Sequence, residues 1–251
     1  MTVDEATQVN GVPDTNAGVL DANKVKQSDW SVESVLAANN LRYAENTDSP
    51  VPFFHLLERL KTTKRAGWQR FHIGDGESIS DHMYRMSILT MMAPAPLSSK
   101  LDIARCCRMA VIHDMAEALV GDITPVDGVS KEEKSRREAE TMDYICTTLL
   151  GKFNGGLNGQ DIRAIWQEYE DSKTPESLFV HDIDKIELLV QMVEYERKSN
   201  CERDLGEFQW VAGRIKSEEV QAWAQQIFRE REQMWKDSGK TPKPREAFER
   251  S

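Results

Sequence analysis

The run Ala110-Val111-Ile112-His113-Asp114-Met115-Ala116-Glu117 sets the fold class and the chemistry expected of this chain. Around it, Ile103, Cys107, Ala110, Val111 and Ala118 recur at helical spacing, which predicts a helix over residues 99–119 with Gly121 as its stop. A carboxylate inside such an apolar run is unfavourable unless it is paired or coordinated, so Asp114 needs a cation or a strong donor. A divalent metal ion meets that need. Imidazole with carboxylate suits Mn, Fe, Co, Zn or Mg to differing degrees. Glu117 stands three residues after Asp114 and four after His113, and so shares their helix face. Asp122 follows just past the helix end, in Val120-Gly121-Asp122-Ile123-Thr124-Pro125, and can reach the same space.

Working outward, nearly every segment reads as helix, and no period-two alternation bounded by hairpin turns is found. Helices are expected over residues 31–44, 53–61 and 80–92, the last closed by Pro94 and Pro96. A charged helix over 131–150 ends at Gly151, and Gly155, Gly156 and Gly159 then mark a loop. Further helices are expected over 160–169, 174–197 and 217–235. Thr174 is placed as the N-cap of the second of these, with Pro175 and Glu176 in its first turn. Residues 64–80, with Gly67, Gly74 and Gly76, form a long irregular connection, and connections of that length are often functional. The expectation is an all-α fold: a single helical bundle over residues 29–235. Polar, disordered tails are expected at 1–28 and 236–251.

Composition narrows the function classes. The chain has 251 residues, 32 basic and 42 acidic side chains, a net charge of −10, and 29% charged residues. No apolar run approaches the about 18 residues of a membrane-spanning helix. The acidic balance argues against binding a nucleic acid polymer or an anionic membrane, both of which need clustered Lys and Arg. Cys106, Cys107, Cys146 and Cys201 show no CxxC pair and are read as small buried hydrophobes. The opening MTVDEATQVNG has neither a secretory nor a mitochondrial pattern, so a cytoplasmic location, or a nuclear one, is expected.

Two further segments join the first run. His82 opens the helix expected at 80–92, within Ser80-Asp81-His82, and Asp182 and Asp184 lie in Val180-His181-Asp182-Ile183-Asp184-Lys185. In this order and on helices, His82, His113-Asp114 and a late Asp resemble the H…HD…D signature of the HD-domain metal-dependent phosphohydrolases. The runs Leu60-Lys61-Thr62-Thr63-Lys64-Arg65-Ala66-Gly67-Trp68, Ser80-Asp81-His82-Met83-Tyr84-Arg85-Met86, His113 to Pro125, and Glu194-Tyr195-Glu196 are similar to the 5'-deoxynucleotidase branch of that family.

That resemblance implies a metal held by His82, His113, Asp114 and Asp184, with Mn, Co or Mg as the cation. Aligning Phe179-Val180-x-x-x-Asp184 with the family's helix favours Asp184, whereas the helical wheel puts Asp182 nearer the apolar centre, and Asp182 stays as the rival. The resemblance further implies that Glu117 and Asp122 are the catalytic acids. The same two acids could hold a second cation together with the carbonyl of Ile123. Trp68, fourteen residues before His82, would pack against the sugar and refuse a 2'-hydroxyl. Arg65, with Arg70 beside it, would meet the phosphate. The implied substrate is a deoxyribonucleoside 5'-monophosphate, cleaved to the deoxyribonucleoside and phosphate, and the implied assembly is a homodimer. The alternatives are an HD-domain phosphodiesterase or nucleoside triphosphohydrolase, and a helical interaction module without catalysis. His55 and His72 have no partner pattern and are read as surface or capping residues.

Overall fold

The first turn of a helix leaves backbone N–H groups without intrahelical partners, and side chains that accept from them fix where the helix starts. Five helices among the described residues begin in that way. In the computed structural model, which describes residues 30–243, Ser78, Asp102 and Thr174 accept from Asp81, Arg105 and Ser177 respectively. At the first of these the bonding is reciprocal, since the Asp81 carboxylate accepts from the Ser78 N–H at 2.8 Å. His82 is thereby held in the first turn of its helix.

The elements are α1 (Val32–Ala38), α2 (Val51–Thr62), α3 (Ala66–Arg70), α4 (Ile79–Thr90), α5 (Ala95–Ser98), α6 (Ile103–Ile112) and α7 (Glu117–Val120). They continue with α8 (Lys131–Asp143), α9 (Leu157–Asp171), α10 (Pro175–Lys198) and α11 (Glu218–Asp237). Among the described residues there is no strand, only an isolated antiparallel bridge between Lys64 and Ser78. The all-α expectation holds. The tails expected at 1–28 and over 244–251 lie outside the described residues. Residues 236–243 begin as the end of α11, and Lys240 Nζ donates to the Asn200 carbonyl at 2.6 Å. None of the helices in the described residues is long and apolar enough to cross a membrane.

The centre of the bundle is α10, with α4, α6, α9 and α11 packed around it. Its Phe179, Val180, Ile183, Ile186, Leu189, Met192 and Val193 are all buried. Each such side chain contributes roughly 1.5–3 kcal/mol on leaving water. Cys106, Cys146 and Cys201 are buried free thiols and Cys107 is half-buried.

Several boundaries differ from the sequence expectation, each for a local reason. The helix expected over 99–119 is broken: α6 ends at Ile112, and tight bonds from Met115 N to Ile112 O (2.9 Å) and Glu117 N to Asp114 O (3.0 Å) carry the chain into the one-turn α7. A continuous helix would splay His113 and Asp114 by about 100°. The break lets both turn to one centre. The helix expected over 31–44 stops at Ala38, with Asn40 in the left-handed region at φ 51°. The helix expected over 131–150 loosens after Asp143 into a π-helical turn, Tyr144–Leu149. Gly159 lies inside α9 rather than in a loop, because the helix passes so close to that turn that a Cβ there would sit 2.2 Å from the Cys146 carbonyl oxygen. The connection over 64–80 contains α3, and a 3₁₀ segment, Gly206–Arg214, was not expected from the sequence.

Candidate metal centre

Three stretches of backbone bring the chemical side chains together. The first turn of α4 supplies His82, the break after α6 supplies His113 and Asp114, and the middle of α10 supplies Asp184. His82 Nε2 lies 3.3 Å from Asp184 Oδ1 and 3.7 Å from Asp114 Oδ2. His113 Nε2 lies 3.2 Å from Asp114 Oδ2. Among the described residues, His82, His113 and Asp184 form one of the groups whose ligand atoms all lie within 4.8 Å of one another.

Both imidazoles present the same nitrogen to this centre. His113 Nδ1 donates back to the Ala110 carbonyl at 2.9 Å, and His82 Nδ1 donates to Glu187 Oε2 at 2.7 Å. Each Nε2 is therefore the ring nitrogen turned inward, the one that would give its lone pair to a cation in place of a proton. His82 is 0% exposed, and its Nε2 is a buried polar atom without a hydrogen-bond partner. A divalent cation satisfies that orphaned nitrogen and the convergent carboxylates together, so the residues present fit the metal that the donor set calls for.

Electrostatics sharpen the picture. Burial raises the Asp114 pKa, but the neighbouring His113, Arg65 and His82 outweigh it and hold the carboxyl well below the usual carboxylate range. Asp184 behaves alike, its burial overcome by His82 and then by Arg65. Burial and Arg65 push the His82 pKa down, but Glu187 and Asp184 more than reverse this and lift it to about 10. Glu117 goes the other way. Burial first, then the charges of Asp114 and Asp122, drive its pKa well above normal, and its Oε2 has no hydrogen-bond partner.

The remaining expected residues surround this centre. Arg65 Nη1 donates to Asp114 Oδ2 at 3.3 Å, and the adjacent Ala66 N–H donates to Asp122 Oδ2 at 2.7 Å. Gly121, at φ 76°, makes the turn that sends Asp122 back towards α3. The Ile123 carbonyl accepts from the Lys134 ammonium at 3.2 Å. The space where Glu117, Asp122 and Ile123 would hold a second cation thus carries a lysine charge at its edge. Arg70 pairs with Glu207 and does not join the imidazoles.

Asp182 does not enter the centre. It is fully buried and accepts from Lys216 N (2.9 Å), Ser217 N (2.8 Å) and Ser217 Oγ (2.7 Å) at the start of α11. Trp68 is only 1% exposed; its indole N–H donates to Glu77 Oε1 at 2.8 Å, and its ring packs on Tyr195 and Phe208. It nonetheless lines one wall of a cleft of about 560 Å³ with Phe208, Trp210, Pro125 and Val126. A second cleft of about 300 Å³ contains His113, Asp114, Glu117, Lys134 and Asp184. Arg65 and Asp122 border both clefts. His55 and His72 are exposed, as expected.

Sequence reasoning missed Glu187, Arg85, Lys134 and Tyr169. The Tyr169 ring packs tilted against the His113 ring with centroids 4.9 Å apart, and Arg85 clamps Glu187 behind His82. Helical spacing could have found two of them: Arg85 follows His82 by three residues and Glu187 follows Asp184 by three, so each shares the face of an expected ligand.

An α-helical scaffold that gathers two histidines and two aspartates beside two open clefts defines a class, the divalent-metal hydrolases. The HD domain family matches residues 57–224, and the chain belongs to that family. It is 50% identical over 187 residues to the "5'-deoxynucleotidase hdd1" of Schizosaccharomyces pombe, covering 74% of this chain and 92% of that protein. It is 38% identical over 228 residues to the "5'-deoxynucleotidase YBR242W" of Saccharomyces cerevisiae, covering 88% of this chain and 92% of that one. Among solved structures it resembles the HD domain-containing protein YGK1, with a TM-score of 0.59 and 30% identity, over 85% of this chain and 97% of that one.

Proposed function

We propose that this chain is a 5'-deoxynucleotidase, a phosphoric monoester hydrolase that converts deoxyribonucleoside 5'-monophosphates to deoxyribonucleosides and phosphate. The convergence of His82 Nε2, His113 Nε2, Asp114 and Asp184 carries the proposal. Relatives of that printed activity, at 50% and 38% identity over most of their length, support it. In this reading His82, His113, Asp114 and Asp184 hold a Mn, Co or Mg ion. When bound, such an ion polarises the phosphoryl group and makes water a competent nucleophile near neutral pH.

The chain's own residues do the rest. Arg65, beside Asp114 and at the border of both clefts, binds a phosphate oxygen and offsets its charge. Glu117, buried and with an unpartnered Oε2, keeps its proton and delivers it to the departing 5'-oxygen. Asp122, anchored on the Ala66 N–H, orients the water opposite that oxygen. The apolar cleft walled by Trp68, Phe208 and Trp210 takes the nucleoside, and in this reading Trp68 faces the sugar and disfavours a 2'-hydroxyl. A homodimer and a cytoplasmic or nuclear location belong to the same proposal. Exposed Tyr84, Ile88 and Met91, at helical spacing along α4 and just past its end, offer apolar surface for a second copy.

The test is phosphate release from deoxynucleoside monophosphates beside their ribo-counterparts, cyclic nucleotides and triphosphates, with and without added metal. Metal-dependent release that favours the deoxynucleoside monophosphates is expected. Preferential cleavage of cyclic or triphosphate nucleotides, or no cleavage of any, would overturn the proposal.

A further inference from the structure

Behind the metal centre, on the side away from the clefts, lies a second buried polar cluster that the reaction does not use. Glu187 is 0% exposed on α10, and its two carboxylate oxygens have different partners. Oε2 accepts from His82 Nδ1 at 2.7 Å, while Oε1 accepts from Arg85 Nε at 2.8 Å and lies 2.6 Å from Arg85 Nη2. Arg85 is itself tied down. Its Nη1 donates to Glu194 at 2.7 Å and its Nη2 to Gln191 at 2.6 Å. Glu187, Gln191 and Glu194 follow Asp184 along one face of α10, and Arg85 shares the His82 face of α4. The two helices that supply a ligand each are thus cross-linked by one guanidinium.

A histidine can offer only one nitrogen to a cation, and the partner of its other nitrogen decides which. We propose that Glu187, locked by Arg85, is the positioning residue that keeps the proton on His82 Nδ1 and aims Nε2 at the metal. The inference rests on the reading of His82 as a metal ligand. Its sharpest consequence concerns the amide. In Glu187→Gln the side chain must turn one oxygen and one NH₂ towards Arg85 and His82. An NH₂ facing the guanidinium sets donor against donor. The amide oxygen therefore stays on Arg85 and the NH₂ is turned onto His82 Nδ1. The imidazole is then driven to carry its proton on Nε2, where the metal should bind.

The test measures free Mn²⁺ by electron paramagnetic resonance during titration of the wild-type and Glu187→Gln proteins, without nucleotide. A long-range ¹H–¹⁵N correlation on the Zn²⁺-loaded proteins then reads the ring protons of His82. An affinity lower by about 10- to 100-fold in the variant, with loss of the Nδ1 proton signal, is expected. A residue with a structural role alone would lower the melting temperature and leave Mn²⁺ affinity and the ring signal unchanged, and that result would overturn the proposal. If Glu187→Gln does not fold, Arg85→Lys, at a partly exposed position, releases the clamp while keeping the charge. It should weaken Mn²⁺ binding in the same direction, and unaltered affinity would refute the inference. Failure of the wild-type protein to bind Mn²⁺ would instead remove the reading of His82 as a ligand.

Discussion

Asp182 and Asp184, two residues apart on α10, face opposite partners. The Asp182 carboxylate caps the start of α11 through three hydrogen bonds from Lys216 and Ser217, whereas Asp184 Oδ1 lies 3.3 Å from His82 Nε2. Residues at that spacing point about 200° apart on a helix. Replacing Asp184 with Ala should abolish tight Mn²⁺ binding and turnover while leaving the fold intact. Replacing Asp182 with Ala should lower stability by about 2–3 kcal/mol, the scale of hydrogen bonds to a charged acceptor, with Mn²⁺ affinity retained. Urea unfolding and metal titration of both variants check the contrast.

Metal should stabilise the folded chain as well as activate it. A ligand that binds only the native state at a hundred times its dissociation constant adds about 2.7 kcal/mol. Added Mn²⁺ should therefore raise the melting temperature of chelator-treated protein and restore its phosphate release. In Asp114→Ala both effects should disappear together, because Asp114 Oδ2 stands within 3.7 Å of His82 Nε2 and 3.2 Å of His113 Nε2. Calorimetry with and without Mn²⁺ decides this, and a metal-free variant that still turns over would contradict it.

Trp68 has two roles that a single truncation would confuse. Its ring is 1% exposed and packed on Tyr195 and Phe208, so Trp68→Ala should destabilise by roughly 3–5 kcal/mol. Trp68→Phe retains most of that packing and shortens the wall of the cleft. It should narrow the rate gap between dAMP and AMP by raising turnover of the ribonucleotide. Steady-state rates on the two substrates measure this; an unchanged gap would remove the steric role.

Glu138 links pH to stability. Burial raises its pKa to about 7 and Glu170 adds to the rise, although Lys134 opposes it. The folded state thus binds a proton more tightly than the unfolded chain does. This contribution is fully present below the ordinary glutamate pKa and is lost as pH rises through about 7. Its size is at most about 3 kcal/mol. In chelator-treated protein, Glu138→Gln should flatten the fall in melting temperature between about pH 4.5 and pH 7, the window set by the two pKa values. A slope equal to that of the wild type would exclude Glu138 as its source.

Much of this was legible in one dimension because helix signals are local. Periodic apolar residues and capping side chains such as Ser and Thr act within a turn or two, and so the start of α10 at Thr174 and Pro175 could be read directly. The His-Asp pair that the structure brings to the candidate centre was legible too, since such a pair in an apolar run needs compensation wherever it falls. The break at residues 113–116 was not legible. Its reason lies in the partners it reaches, His82 on α4 and Asp184 on α10, rather than in its own turn.

The sequence by itself determined an all-α chain, the residue types able to hold a cation, and the order in which they occur. Only the tertiary structure decided that Asp182 serves α11, that Glu187 and Arg85 stand behind His82, and that Lys134 reaches the Ile123 carbonyl. Helical propensity is settled by neighbours a few residues away. Which of two carboxylates on one helix meets an imidazole depends on how that helix is rotated against the others, and packing of the whole core sets that rotation.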